Sequence, residues 1–134
     1  MLRIVFGVVL GFFAWLMMWV VSEKIVSAVW PAFGAHQRAF QEAITNGGEF
    51  TYETVALVTH LVLGVVVSAA AGYIAAAIAG ESTRAPMFAG ILLLMMAVAK
   101  AVMSWQYVPV WYHAAFTVIL LPMAIVGGRL YSSN

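Results

Sequence analysis

The ionisable residues of this chain gather toward the same ends of its apolar segments. His60, Lys100 and His113 lie inside segments that are otherwise almost wholly apolar. Glu53 lies at the start of the segment that contains His60, and Glu23 lies at the end of the first segment. Ionisable side chains within a membrane segment are rare and commonly functional. The five residues therefore form a candidate ligand pocket, in which a glutamate would neutralise the charge of Lys100.

Each pocket residue also has a purely structural interpretation. Lys100 can extend its aliphatic stem so that its ammonium group reaches the membrane interface. His60 can hydrogen-bond a neighbouring helix, and His113 can anchor the chain at headgroup depth beside Trp111 and Tyr112. We expect no cofactor and no bound metal, with one alternative, a haem held by His60 and His113.

The composition indicates that much of the chain lies in lipid. Of its 134 residues, 65% are hydrophobic and 8% are charged, and the mean hydropathy is +1.02. Soluble proteins are about 45–50% apolar and about a quarter charged, so a soluble fold of this length could not bury so much apolar surface. The net charge of +1 provides no basic face for nucleic acid. The sequence contains no cysteine, which excludes disulfides and thiolate chemistry.

Four apolar segments are long enough to cross a membrane, because about 20 helical residues span about 30 Å of hydrocarbon. They cover about residues 4–22 (with a continuation to about residue 30), 54–79, 86–105 and 109–128. The first segment is longer than the apolar core of a signal peptide, so we expect it to be retained. The sequence predicts one membrane domain over residues 1–134, an all-α antiparallel four-helix bundle in a lipid bilayer.

The long connection over residues 31–52 predicts a short amphipathic helix. Its apolar face would carry Phe33, Phe40, Ala43 and Ile44, and its polar face Gln37, Arg38, Gln41 and Glu42. A helix of this kind lies in the membrane interface, where it would cover the mouth of the pocket. An ordered polar loop is the alternative.

A row of small residues follows one ridge of the second segment. The row consists of Gly64, Ser68, Gly72, Ala76 and Gly80, and the first segment carries the pair Gly7 and Gly11. Small side chains let helix backbones approach each other in lipid, where burial of large apolar side chains gains little. We expect Gly11 and Gly72 to meet at one depth within the chain. Packing between copies of the chain is the alternative.

The positive residues favour one orientation weakly. Arg3, Arg84 and Arg129 lie on the side of the termini, whereas Lys24 and Arg38 lie on the side of the long connection. Because lysine and arginine are retained on the cytoplasmic side, this distribution predicts that both termini are cytoplasmic.

Three stretches resemble a known class of protein. They are "VPVWYHAAFTVILLPMAIVGGRL" at 108–130, "AAGYIAAAIAG" at 70–80 and "GVVLGFF" at 7–13. Together they resemble small four-span bacterial inner-membrane proteins of unknown function. The resemblance implies a four-helix membrane fold and a bacterial inner-membrane location, but it implies no activity.

Motifs that would indicate an enzyme are absent from the sequence. It has no glycine-rich phosphate loop, no H-E-x-x-H and no G-x-S-x-G. The leading hypothesis is therefore a non-enzymatic membrane protein, acting as an accessory or packing subunit of a larger membrane complex or as a small homo-oligomer. The alternative is a binder or carrier of a small or lipophilic ligand in an outer-leaflet pocket.

Overall fold

A computed structural model describes residues 2–47, 54–103, 105 and 108–133, and these residues form five α-helices. The helices are α1 (Leu2–Val29), α2 (Pro31–Asn46), α3 (Thr54–Ala79), α4 (Arg84–Met103) and α5 (Val110–Ser133). No strand occurs in the described part of the chain, so the all-α prediction is confirmed. The predicted pocket residue Glu53 lies outside the described residues.

Four of these helices are long and apolar enough to cross a membrane. They are α1, α3, α4 and the part of α5 from Val110 to Tyr131. This set indicates a multi-pass membrane protein, and the predicted four-helix bundle is confirmed. With 28 residues, α1 is about 42 Å long at about 1.5 Å per residue. It therefore exceeds about 30 Å of hydrocarbon, and its last turns extend toward the polar region.

Proline and glycine place both ends of α2. Pro31 occupies its first turn, and a residue before proline is driven out of helical backbone geometry, which separates α1 from α2 at Trp30. At the other end, Gly47 adopts a left-handed conformation with φ of 73°. Its N–H donates to the carbonyl of Ala43, so the helix has a standard glycine C-cap. The predicted amphipathic helix is therefore present and covers Pro31–Asn46.

The carboxylate of Glu81 caps the start of α4. It accepts hydrogen bonds from the backbone N–H groups of Thr83, Arg84 and Ala85. Partial burial acts to raise the pKa of Glu81, but the backbone donors of Arg84, Ala85 and Thr83 outweigh it and hold this pKa below its usual value. The ionised side chain thus stabilises the positive end of the α4 dipole. Because Pro86 needs no N–H partner in a first turn, α4 begins at Arg84, before the proline that marked its predicted start.

The central helix of the bundle is α3, which packs against α1, α4 and α5. Where α1 crosses it, a Cβ atom on Gly7 would come 2.6 Å from the carbonyl oxygen of Ala75, and one on Gly11 would come 2.9 Å from the Ala75 Cβ. Gly7 also faces Ala79, whereas Gly11 also faces Ala71. The contacted residue numbers on α3 therefore decrease as the residue numbers on α1 increase, so the two helices are antiparallel.

Gly72 packs on α5 and not on α1. A Cβ atom on Gly72 would overlap the carbonyl oxygen of Ala124, and one on Gly127 would overlap the carbonyl oxygen of Ala69. The expectation that Gly72 meets Gly11 is therefore corrected. Successive residues of an α-helix are rotated by about 100° about the helix axis. The alanines near Gly72 therefore face α1, while Gly72 itself faces α5.

The remaining row positions serve both neighbours of α3. A Cβ on Gly64 would lie 3.1 Å from the ring of Phe116 on α5. Ser68 is fully buried and accepts a 3.0 Å hydrogen bond from the indole Nε1 of Trp15 on α1. Ala76 is also fully buried. The row therefore packs inside the chain.

Gly80 ends the row and the helix. Its φ of 72° is a left-handed conformation, and its N–H donates to the carbonyl of Ala76. The side chain of Arg3 lies beside it and donates from Nε to the carbonyl of Ile78 at 3.2 Å. A cation at this position neutralises the negative end of the α3 dipole.

We expect Gly72→Ala to destabilise the bundle, because the added methyl group would displace the α5 backbone. The cost should be about 1–3 kcal/mol, the range for overpacked cores. Ala77→Leu is the matched control, since Ala77 is an exposed residue on the same helix. Thermal unfolding in detergent measures both variants. An unchanged melting temperature for Gly72→Ala would contradict the close α3–α5 contact.

Four crossings place both termini on one side of the membrane. Reporter fusions after Arg84 and after Asn134 should therefore report the same compartment, and a fusion after Asn46 the opposite one. A matched pair of reporters, one active in the cytoplasm and one active outside it, makes the measurement. Opposite locations for the fusions at Arg84 and Asn134 would exclude a four-span topology.

Candidate functional site

A cavity of about 410 Å³ opens at the end of the bundle where α1 and α4 finish and α3 and α5 begin. All five helices and the segment before α5 contribute side chains to it. The lining residues are Trp19, Glu23, Gln37, Phe40, Gln41, Ile44, His60, Lys100, Met103, Val108 and Tyr112. Predicted pocket residues from three different helices, Glu23, His60 and Lys100, thus line one cavity.

His60 lies at the floor of the cavity, where it is 4% exposed. Its ring Nδ1 lies 2.9 Å from the carbonyl oxygen of Ala56, one turn earlier in α3. Because a carbonyl oxygen can only accept, Nδ1 carries the hydrogen of this bond. The other ring nitrogen, Nε2, is thereby directed toward α1 and α2, where Gln37 and Glu23 lie.

Two polar side chains meet this nitrogen. The amide Nε2 of Gln37 lies 3.2 Å from His60 Nε2, and the Oε1 atom of Glu23 lies 3.4 Å from it. A neutral His60 accepts a hydrogen bond from the Gln37 amide, whereas a protonated His60 donates to the Glu23 carboxylate. The three residues, on α1, α2 and α3, thus form a polar cluster around one ring nitrogen.

Aromatic rings hold His60 in place. Its ring stacks on Trp19 with centroids 5.6 Å apart, and Phe33 lies on it with centroids 5.2 Å apart. Trp19 in turn stacks on Trp15 at 5.1 Å, and the Trp15 indole is fixed by its hydrogen bond to Ser68. The orientation of the histidine is therefore set by packed neighbours on α1 and α2.

Lys100 reaches the same cavity from the last turn of α4. Its Nζ atom lies 5.6 Å from the centroid of the Trp19 ring, which is a cation–π arrangement. Its positive charge also attracts the carboxylate of Glu23. Glu23 thus lines the same cavity as the charge that it was expected to neutralise.

His113 lies beside a different cavity. This second space measures about 40 Å³ and is lined by Lys100, Tyr112, Phe116 and other residues of α4 and α5. The His113 ring is stacked on Trp105 with centroids 5.3 Å apart and an interplanar angle of 4°. The structure therefore does not place His60 and His113 together in the large cavity, although Lys100 and Tyr112 line both spaces.

Sequence reasoning missed the two glutamines of α2. Gln37 and Gln41 were assigned to its outer polar face, yet both line the cavity, together with Phe40 and Ile44. The signal was available in the spacing. Positions 33, 37, 40 and 44 follow one another at intervals of four, three and four, which is a single helical stripe.

No group of three or more histidine or glutamate side chains suited to a metal ion occurs within the described residues. Comparison of the chain with protein-family models, with curated proteins and with solved structures returned no match. The functional argument therefore depends on the geometry of the cavity.

We expect Gln37→Leu to loosen α2, because the change removes the amide that meets His60. A lost hydrogen bond of about 1 kcal/mol should raise amide exchange in α2 about fivefold. Hydrogen exchange followed by mass spectrometry measures this. Arg38→Leu, at the exposed neighbouring position, is the control and should leave exchange unchanged. Equal exchange in both variants would show that Gln37 does not hold α2.

Proposed function

We propose that this multi-pass membrane protein is not an enzyme and binds a small amphiphilic ligand in the 410 Å³ cavity. The observation that supports the proposal is a cavity of ligand size in which Glu23, His60 and Lys100 converge from three helices. Pockets for small molecules commonly measure about 300–1,000 Å³ and combine an apolar wall with a few polar groups. This is the ligand-binding alternative raised by the sequence.

The lining suits a ligand with a polar and an apolar part. The polar cluster of Glu23, Gln37 and His60 lies toward the floor, which Trp19 also forms. The rim includes Ile44, which is half-exposed, and Met103, which is 75% exposed. Polar groups at the floor and apolar groups at the rim would fit a polar head group and an apolar chain.

Ligand binding accounts for more of the structure than an accessory or packing role does. The small-residue row, for which packing between copies was the alternative, contacts α1 and α5 of the same chain. A structural role gives no reason to gather a carboxylate, an imidazole and an ammonium group around an open space, since such groups are costly near lipid.

We further propose that the protein resides in the inner membrane of a bacterium with both termini in the cytoplasm. The resemblance to small four-span inner-membrane proteins supports the location. Arg3, Arg84 and Arg129, at the end of the bundle opposite the cavity, support the orientation. The cavity would then lie in the outer half of the membrane.

Filling the cavity mouth should abolish ligand retention. Native mass spectrometry of the protein purified in mild detergent reports both copy number and bound mass, and we expect a retained small molecule on the unaltered chain. Met103→Trp should lose it, because the indole would occupy the rim. Val102→Trp is the matched control, since Val102 is 73% exposed and does not line the cavity.

The same spectra test the competing functions. Loss of bound mass in both variants, or in neither, would contradict binding in this cavity. A haem would be revealed by its mass and by visible absorbance. An oligomer without any bound small molecule would favour the packing role.

A further inference from the structure

We propose that the ligand is a zwitterion, an amine with an anionic group a few bonds away, which is the chemistry of an aminophosphate lipid head group. The inference rests on the ligand-binding function proposed above. Its basis is the arrangement of opposite charges, aromatic rings and apolar rim residues in the cavity.

The cavity carries one fixed charge of each sign among its described lining residues. Glu23 supplies the negative charge and Lys100 the positive charge. Transferring an unpaired charge from water into a weakly polar site is costly. A singly charged ligand would oppose one of the two resident charges. A zwitterion can place each of its charges beside the opposite one.

The groups that carry these charges lie around one buried aromatic ring. Trp19, which is 7% exposed, stacks on His60, which is 4% exposed, and the Nζ atom of Lys100 lies 5.6 Å from the centroid of the Trp19 ring. The Oε1 atom of Glu23 lies 3.4 Å from Nε2 of the same His60. Opposite charges therefore face one space a short distance apart. This arrangement fits a ligand whose ammonium and anionic groups are separated by a few bonds, as in an aminophosphate head group.

The cavity also provides partners for an ammonium group. Tyr112, Phe40 and Trp19 all line the space that Glu23 faces. Aromatic faces attract cations, and the attraction grows when the cation is removed from water. The amide oxygens of Gln37 and Gln41 can accept the remaining N–H bonds. A carboxylate flanked by aromatic rings and amides is a suitable binding site for a protonated amine.

The rim indicates that the ligand carries an apolar chain. Met103 and Ile44 line the cavity and are themselves exposed, and Met103 ends α4, a helix long and apolar enough to cross a membrane. An acyl chain leaving the cavity past these residues would stay in contact with apolar surface. We therefore infer that the zwitterion is presented by a membrane lipid and not by a free aminophosphate in water.

The test compares four probes on the full chain in a neutral detergent by native mass spectrometry. Three share the same acyl chains: phosphatidylethanolamine, phosphatidylglycerol and diacylglycerol. The fourth is soluble O-phosphoethanolamine. Phosphatidylethanolamine should be retained about tenfold more than phosphatidylglycerol, the expected gain from one charge-assisted contact. Soluble phosphoethanolamine should bind at least about tenfold more weakly than the lipid, because it lacks the apolar chain.

Variants that remove one charge show which residue recognises each part of the head group. Glu23→Gln keeps the side-chain shape and should remove the preference for phosphatidylethanolamine over phosphatidylglycerol. Lys100→Met should lower retention of both phospholipids about tenfold and leave diacylglycerol unchanged. Glu42→Gln and Lys24→Met remove the same charges at exposed positions outside the cavity and should have no effect. If Glu23→Gln does not fold, Lys100→Met still tests the phosphate contact independently.

The outcomes separate this inference from the function on which it rests. Equal retention of the three lipids that is lost in Met103→Trp would overturn the zwitterion and leave ligand binding in place. Retention of no probe, in a protein that also carries no native small molecule, would overturn both. Equal binding of the lipid and of soluble phosphoethanolamine would uphold the head-group chemistry and overturn the lipid source.

Discussion

The whole bundle depends on how closely the backbone of α3 approaches its neighbours. Gly72 and Gly127 leave no room for a Cβ atom at the contact with α5, and Gly7 and Gly11 leave little at the contact with α1. In lipid, apolar side chains gain little by leaving their surroundings, so this close approach supplies much of the packing energy. Every other feature must be accommodated around these contacts.

Close packing at one end creates space at the other. Near the chain termini the buried core consists of alanines, including Ala75, Ala79 and Ala89. Toward the opposite end the core contains Trp15 and Trp19, whose rings need far more room. The cavity lies next to this aromatic cluster, so its position follows from where the small residues stop along α1 and α3.

The polar residues of the cavity act together because several helices orient them. The imidazole of His60 is fixed by a carbonyl of its own helix and by rings from α1 and α2. Glu23 and Gln37 then meet a single nitrogen atom from different directions. A displacement of any one of these groups would therefore affect α1, α2 and α3, the helices that carry them.

The sequence by itself determined the fold class, the four long helices and the end of the bundle at which ionisable groups gather. Hydropathy and segment length determine these features within each segment, independently of the other helices. It also indicated that α2 is a helix, but a symmetrical division into polar and apolar faces placed Gln37 and Gln41 outside. The inner face of α2 lines a cavity, so it can accommodate polar side chains. Amphipathic patterning by itself cannot reveal such a cavity.

Only the tertiary structure decided which residues meet. The pairing of Gly72 with Ala124 instead of Gly11, and the position of His113 beside a second cavity, depend on how each helix is rotated about its axis. Neighbouring residues on a helix are separated by about 100° around its axis. A modest rotation of the helix about that axis therefore exchanges one contact residue for another. Depth in the membrane can be read from residue number, whereas rotation is set by the packing of all the helices together.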